Sequence, residues 1–244
     1  MKKINILFSF ISLFFIYSCV QKEEEITILH PKNTNESDQL RTGLDVLIED
    51  YPNLLKSKSI GIITNETGVS NENVQNVEIL IDDGNIQIRK IFTLNTRYKK
   101  KLDTKVSTKF KRSSQKQPEI ISLDQEKAIN AKFLENLDYL IYDVQGLGSR
   151  VDTAIKALNM VLNASAKSKI DLIILDRPNP LGGEILEGPI ADTSYSSNFR
   201  IYPIPTRYGL TTAELSLMAV KEKWLSMIPK IIIILMDGWT RDMY

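Results

Sequence analysis

Apolar residues in this chain gather into short, near-continuous runs at positions 59–65, 86–94, 119–123, 139–144, 170–175 and 230–236. Each run gives way abruptly to polar turn residues. Runs of this length and setting suit strands buried on both faces of a parallel sheet. The segments between them carry a helical period instead. Residues 42–50 put Leu44, Leu47 and Ile48 on one side, behind a capping box of Thr42 and Asp45. Residues 73–82 repeat the pattern with Val74, Val77, Leu80 and Ile81, and a further helix is predicted over 125–135. Residues 152–167 align Ala154, Ile155, Leu158, Val161, Leu162 and Ala166, and Thr211 with Glu214 opens a helix to about residue 224. The alternation predicts a doubly wound α/β domain, a mostly parallel sheet with helices on both faces. One stretch breaks the pattern. Residues 97–117 set a crowd of lysines and arginines against the single acid Asp103 and read as a solvated loop.

The chain opens differently. Two lysines precede an apolar run in residues 1–18, the form of a secretory signal, too short for a comfortable membrane span. Cys19 follows Ile16-Tyr17-Ser18, a spacing that resembles a bacterial lipobox, so Cys19 is the predicted lipidation site. Residues 19–39 are polar and read as a tether, leaving 40–244 as the globular domain. The expected location is the cell envelope, periplasmic or surface-exposed, with a lipid anchor as the membrane contact.

Composition narrows the function classes. A net charge of +1 gives no support to nucleic acid as a partner. One histidine, His30, and one cysteine support neither a zinc site, nor a disulfide framework, nor a Ser-His-Asp triad, and no metal or cofactor is expected. The glycines after residue 145 lack a Walker lysine and do not complete a dinucleotide fingerprint.

In a doubly wound sheet ligands sit beyond the carboxyl ends of the strands. Asp143 and Asp176 end consecutive predicted strands, which offers two carboxylates for glycoside chemistry, or two helix caps. Arg150 and Arg177 can fork onto a ligand carboxylate or phosphate, or onto the loop acids as structural ion pairs.

The blocks Gly61-Ile-Ile-Thr-Asn-Glu-Thr-Gly68, Tyr142-Asp-Val-Gln-Gly-Leu-Gly-Ser-Arg150, Leu175-Asp-Arg-Pro-Asn-Pro-Leu-Gly-Gly183, Glu187-Gly-Pro189 and Tyr202-Pro-Ile-Pro-Thr-Arg-Tyr-Gly-Leu-Thr211 resemble the exo-β-N-acetylmuramidase family, once catalogued as the domain of unknown function 1343. The resemblance implies a Rossmann-like N-terminal domain, a smaller C-terminal domain, and a cleft between them. It also implies removal of N-acetylmuramic acid from the non-reducing end of peptidoglycan fragments. Asp143 and Asp176 then stand as the catalytic candidates, and Asn65, Gln145, Arg150, Arg177, Asn179 and Arg207 as substrate-binding ones. Two departures qualify this. Where the family carries Gly-Pro-Glu-His-Gly, this chain reads Thr93-Leu-Asn-Thr-Arg97, with Asn95 at the glutamate position; Tyr208 likewise stands where a histidine is expected. The sequence also stops at Tyr244, where the family continues into its C-terminal domain. The expectation is a muramidase-like domain, active or degenerate, or a muropeptide-binding or structural envelope lipoprotein.

Overall fold

The computed structural model describes residues 26–32, 39–110, 116–124, 128–194, 197 and 199–243. The predicted signal, Cys19 and most of the predicted tether lie outside the described residues. Among the described residues seven strands form one sheet: β1 Ile26–Leu29, β2 Ser59–Thr64, β3 Gln87–Thr93, β4 Glu119–Ser122, β5 Tyr139–Asp143, β6 Asp171–Leu175 and β7 Ile231–Ile234. Their order is β1-β7-β6-β5-β2-β3-β4, and every neighbouring pair is parallel. The chain winds outward from β2 through β3 to β4, returns to β5 beside β2, and winds the other way through β6 to β7. The winding therefore reverses between β2 and β5.

Helices cover both faces. On one side lie α1 (Gly43–Asp50), α2 (Asn76–Asp82) and α3 (Thr96–Phe110); on the other lie α4 (Thr153–Ser168) and α5 (Thr212–Lys221). Alternation along each strand feeds the two cores. Leu140, Tyr142, Leu172, Ile174, Ile231 and Ile233 point toward α4 and α5, while Ile141, Ile173, Leu175, Ile232 and Ile234 point toward α1 and its neighbours. Thr42 and Asp45 form the capping box of α1, and Thr211 and Glu214 that of α5.

Three segments differ from the sequence expectation. Residues 97–117 are not a solvated loop: Thr96–Phe110 is a helix whose Tyr98, Leu102, Val106 and Phe110 are buried. Their spacing of four gives a stripe one residue wide, which the surrounding lysines mask in any windowed average. Lys105 and Lys109 also pair with Glu78 and Asp82 of α2. Within the predicted tether, the apolar patch Ile26–Leu29 is an edge strand in register with Ile231–Ile234. Of the helix predicted over 125–135, the described part holds a single 3-10 turn, Ala131–Leu134, capped by Asn130 and followed by Asn136 at φ 61°.

α1 begins against bare backbone. Gly43 N–H donates to the Asp176 carbonyl at 2.8 Å, and a Cβ on Gly43 would lie 2.4 Å from the Asp176 nitrogen and 2.7 Å from the Ile234 carbonyl oxygen. None of these atoms is the end of a flexible side chain. Gly43→Ala is expected to cost about 2–3 kcal/mol, read as a lowered midpoint in urea unfolding.

Candidate ligand site at the strand ends

The ends of β2 and β5, where the winding reverses, are the place at which a doubly wound sheet opens a crevice. Thr64 and Asp143, paired in register, are the last residues of these two strands. Asn65, Glu66 and Thr67 continue from β2, and Gln145 from β5. The Asn65 side-chain oxygen accepts from Thr67 N at 3.0 Å and from Thr67 Oγ1 at 2.6 Å. Thr67 Oγ1 in turn accepts the Gln145 backbone N–H at 2.9 Å. The two strand tips are thus tied together through one hydroxyl. Gln145 Nε2 donates to the Pro178 carbonyl at 3.2 Å, which brings in the loop after β6.

Beneath this rim lies a buried polar network. Asp143 is 0% exposed, and its carboxylate receives Arg177 Nε at 2.5 Å, Arg177 Nη2 at 3.0 Å and Asn76 Nδ2 at 2.6 Å. The remaining Arg177 nitrogen, Nη1, donates to the Val69 carbonyl at 3.0 Å. Asn76 Nδ2 also reaches Thr64 Oγ1 at 2.8 Å. A Cβ on Gly68 would fall 2.4 Å from both of those atoms, so only glycine lets this turn close over the network.

Asp176 is 3% exposed and works elsewhere. Its oxygens accept from Thr211 Oγ1 at 3.1 Å, from Ala213 N at 2.9 Å and from Arg177 N at 3.0 Å, so it caps the start of α5. Burial outweighs these bonds and pushes its pKa up to about 7. The two carboxylates expected to flank a substrate are therefore enclosed, one in a guanidinium fork and the other at a helix start.

Arg150, Asn179 and Arg207 gather in a second cluster, built from the loops after β5 and β6. Arg150 Nη1 donates to the Pro189 and Ile204 carbonyls at 2.6 and 3.0 Å. Asn179 is buried, donating to the Leu210 carbonyl and accepting from Leu181 N. Arg207 pairs with Glu187 at 3.1 Å, and its backbone bridges Ser149 and Glu187. Asn95 stands at the end of β3, where its side-chain oxygen accepts the Tyr98 N–H at 2.7 Å. Tyr208 is buried, and burial first and Asp152 second raise its hydroxyl pKa. Of the residues singled out by sequence, Asn65 and Gln145 lie together on the crevice rim, directly above Asp143 and Arg177.

Asn76, Thr67 and Glu66 were missed. Asn76 did leave a signal, since a polar residue four positions before Leu80 sits on the apolar stripe of α2. Thr67 and Glu66 lay in a loop whose geometry spacing alone does not define.

A family model described as exo-beta-N-acetylmuramidase NamZ, N-terminal, matches residues 60–244. The peptidoglycan beta-N-acetylmuramidase NamZ of Bacillus subtilis (strain 168) is 30% identical over 224 residues, covering 86% of this chain and 50% of that protein. Two crystal structures of DUF1343 family proteins from Bacteroides fragilis NCTC 9343 superpose with TM-scores of 0.74 and 0.69, at 31% and 30% identity. They cover 85% and 84% of this chain and 52% and 54% of their own. The chain thus spans about half the length of the relatives it matches. Sheet order, strand-end loops and these matches agree: the chain belongs to the NamZ exo-β-N-acetylmuramidase family, in its N-terminal domain.

Proposed function

We propose that this chain binds the N-acetylmuramoyl end of peptidoglycan fragments in the crevice between β2 and β5, at the cell envelope behind a lipidated Cys19, and does not hydrolyse them unaided. Asn95 is the observation that carries this reading. It stands where the resemblance puts a glutamate, and its side-chain oxygen is committed to capping α3. A carboxamide cannot supply the proton that a glycosidic leaving group needs. Asp143 and Asp176 are enclosed by their own partners, so neither presents a carboxyl group to a sugar. Groups for binding are present on the rim in Asn65 and Gln145, both partly exposed. A carboxamide donates and accepts at once, which matches the hydroxyl and acetamido groups of an amino sugar. Arg177, Arg150, Asn179 and Arg207 then hold the loops that carry this rim. The β-N-acetylmuramidase name of the B. subtilis relative supports peptidoglycan fragments as the ligand.

A hydrolytic reading has one feature in its favour. Glu66 is exposed on the same rim, its carboxylate has no partner among the described residues, and its charge adds to the burial that raises the Tyr98 hydroxyl pKa. The test is a chromogenic β-N-acetylmuraminide beside calorimetric titration with muropeptides. The binding reading expects heat of binding and no aglycone release, with Gln145→Ala weakening binding about tenfold. Release that disappears in Glu66→Gln would replace it with the hydrolytic reading. A chain that neither binds nor cleaves would remove both.

A further inference from the structure

Because all seven strands run the same way, every strand starts on the face opposite the crevice. Near β1, β6 and β7 that opposite face has an unusual make-up. α4 and α5 both end there, followed by Lys169 at φ 54° and Lys223 at φ 57°, left-handed positions at which glycine is the default. Lys167, Lys169, Lys221 and Lys223 are exposed and make no ion pair among the described residues. Lys230, at the start of β7, pairs with Asp171 at 2.6 Å. Between Lys223 and Lys230 the chain exposes two adjacent apolar side chains, Met227 (46%) and Ile228 (41%). Cations at helix C-termini offset the negative end of the helix dipole, and this accounts for Lys167 and Lys221. It leaves unexplained why an apolar pair should stand in water among them.

We infer that this strand-start face docks on an anionic phospholipid surface, with Met227 and Ile228 at the depth of the headgroups and the surrounding lysines on the lipid phosphates. An exposed apolar tip flanked by exposed lysines, with the single acid Glu222 between Lys221 and Lys223, has the chemistry of an interfacial contact. Its place in the fold agrees. Ile26, the start of β1, lies in register with Ile231, so the chain enters the fold beside this loop. Cys19 precedes Ile26 by seven residues, a distance of at most about 25 Å when extended. This argument from position rests on the envelope-lipoprotein reading; the surface chemistry does not. With that face on the bilayer, the crevice between β2 and β5 opens away from the membrane, toward the cell wall.

The test uses a chain beginning at Val20, which keeps every described element and carries neither signal nor cysteine, so acylation cannot influence the result. It is co-sedimented with phosphatidylcholine vesicles, with or without about one-third phosphatidylglycerol. Binding is expected only with the anionic lipid and should fall as salt is raised. The triple variant Lys167→Glu/Lys169→Glu/Lys223→Glu should lower the partition coefficient about a hundredfold, and Met227→Ser/Ile228→Ser should lower it too. A control on the outer face of α3, Arg97→Glu/Lys100→Glu/Lys101→Glu, should leave it unchanged. The sites are exposed, and thermal melting checks that each variant is folded. Absence of binding, or loss in the α3 control instead, overturns the proposal. Mass analysis of the full chain's N-terminus tests acylation separately, so the two failures remain distinct.

Discussion

Arg177→Met is expected to destabilise the fold by about 3–5 kcal/mol, a large share of the 5–15 kcal/mol that typically separates folded from unfolded domains. The reason lies in what it leaves behind. Asp143 has no exposed surface, and without the fork from Nε and Nη2 its charge keeps only Asn76 for company. Methionine fills similar space but offers no donor. The Val69 carbonyl loses its partner as well. Urea unfolding followed by far-ultraviolet circular dichroism reads the effect as a lowered midpoint at unchanged slope. Asp143→Leu/Arg177→Met should recover most of the loss, because replacing a buried ion pair by apolar groups is often neutral whereas halving it is not. A double variant no more stable than Arg177→Met alone would mean that the arginine matters for packing and not for the charge it neutralises.

Asp176 should give stability an unusual pH dependence. Its pKa of about 7 in the fold stands well above the ordinary 3.8, with burial as the main cause. The folded state therefore holds this proton more tightly than the unfolded chain does. The resulting stabilisation is complete below about pH 4 and is lost as pH rises toward 7, amounting to about 4 kcal/mol across that window. Most buried carboxylates paired with cations act in the opposite sense. In Asp176→Asn the group no longer titrates, while its oxygen can still accept from Ala213 N and Arg177 N. The difference in unfolding free energy between parent and variant should thus shift toward the variant as pH rises from 4 to 7. A constant difference across that range would show that Asp176 titrates alike in both states.

Much of the sheet was legible because the strands run buried on both faces, where near-continuous Ile, Leu and Val leave a strong mark. β5 and β6 are the clearest instances. Where a segment meets the core along a narrow line, the mark fades. The four buried residues of α3 are outnumbered by lysines whose stems and charges lie outside. β1 is only four residues long and lies within a polar segment, so nothing local distinguishes it from a linker; its partner is some two hundred positions away. The candidate site divides in the same way. Spacing put Asp143, Gln145 and Asn65 at strand tips, and they are there. It could not tell that Asp143 would meet Arg177 instead of a ligand, since that depends on how the loop after β6 folds back over β5. Nor could it tell that Asn95 would cap a helix, because the helix itself had been hidden.

The pairing of the first strand with the last also sets an order of assembly. β2 to β6 can pair among themselves, β2 reaching past β3 and β4 to β5, but β1 has no partner until β7 exists, and joining them closes a loop of nearly the whole domain. A chain that emerges from its N-terminus must therefore keep Ile26–Leu29 unpaired until synthesis has passed Ile234. For that interval the edge of the sheet that β1 later covers stands open.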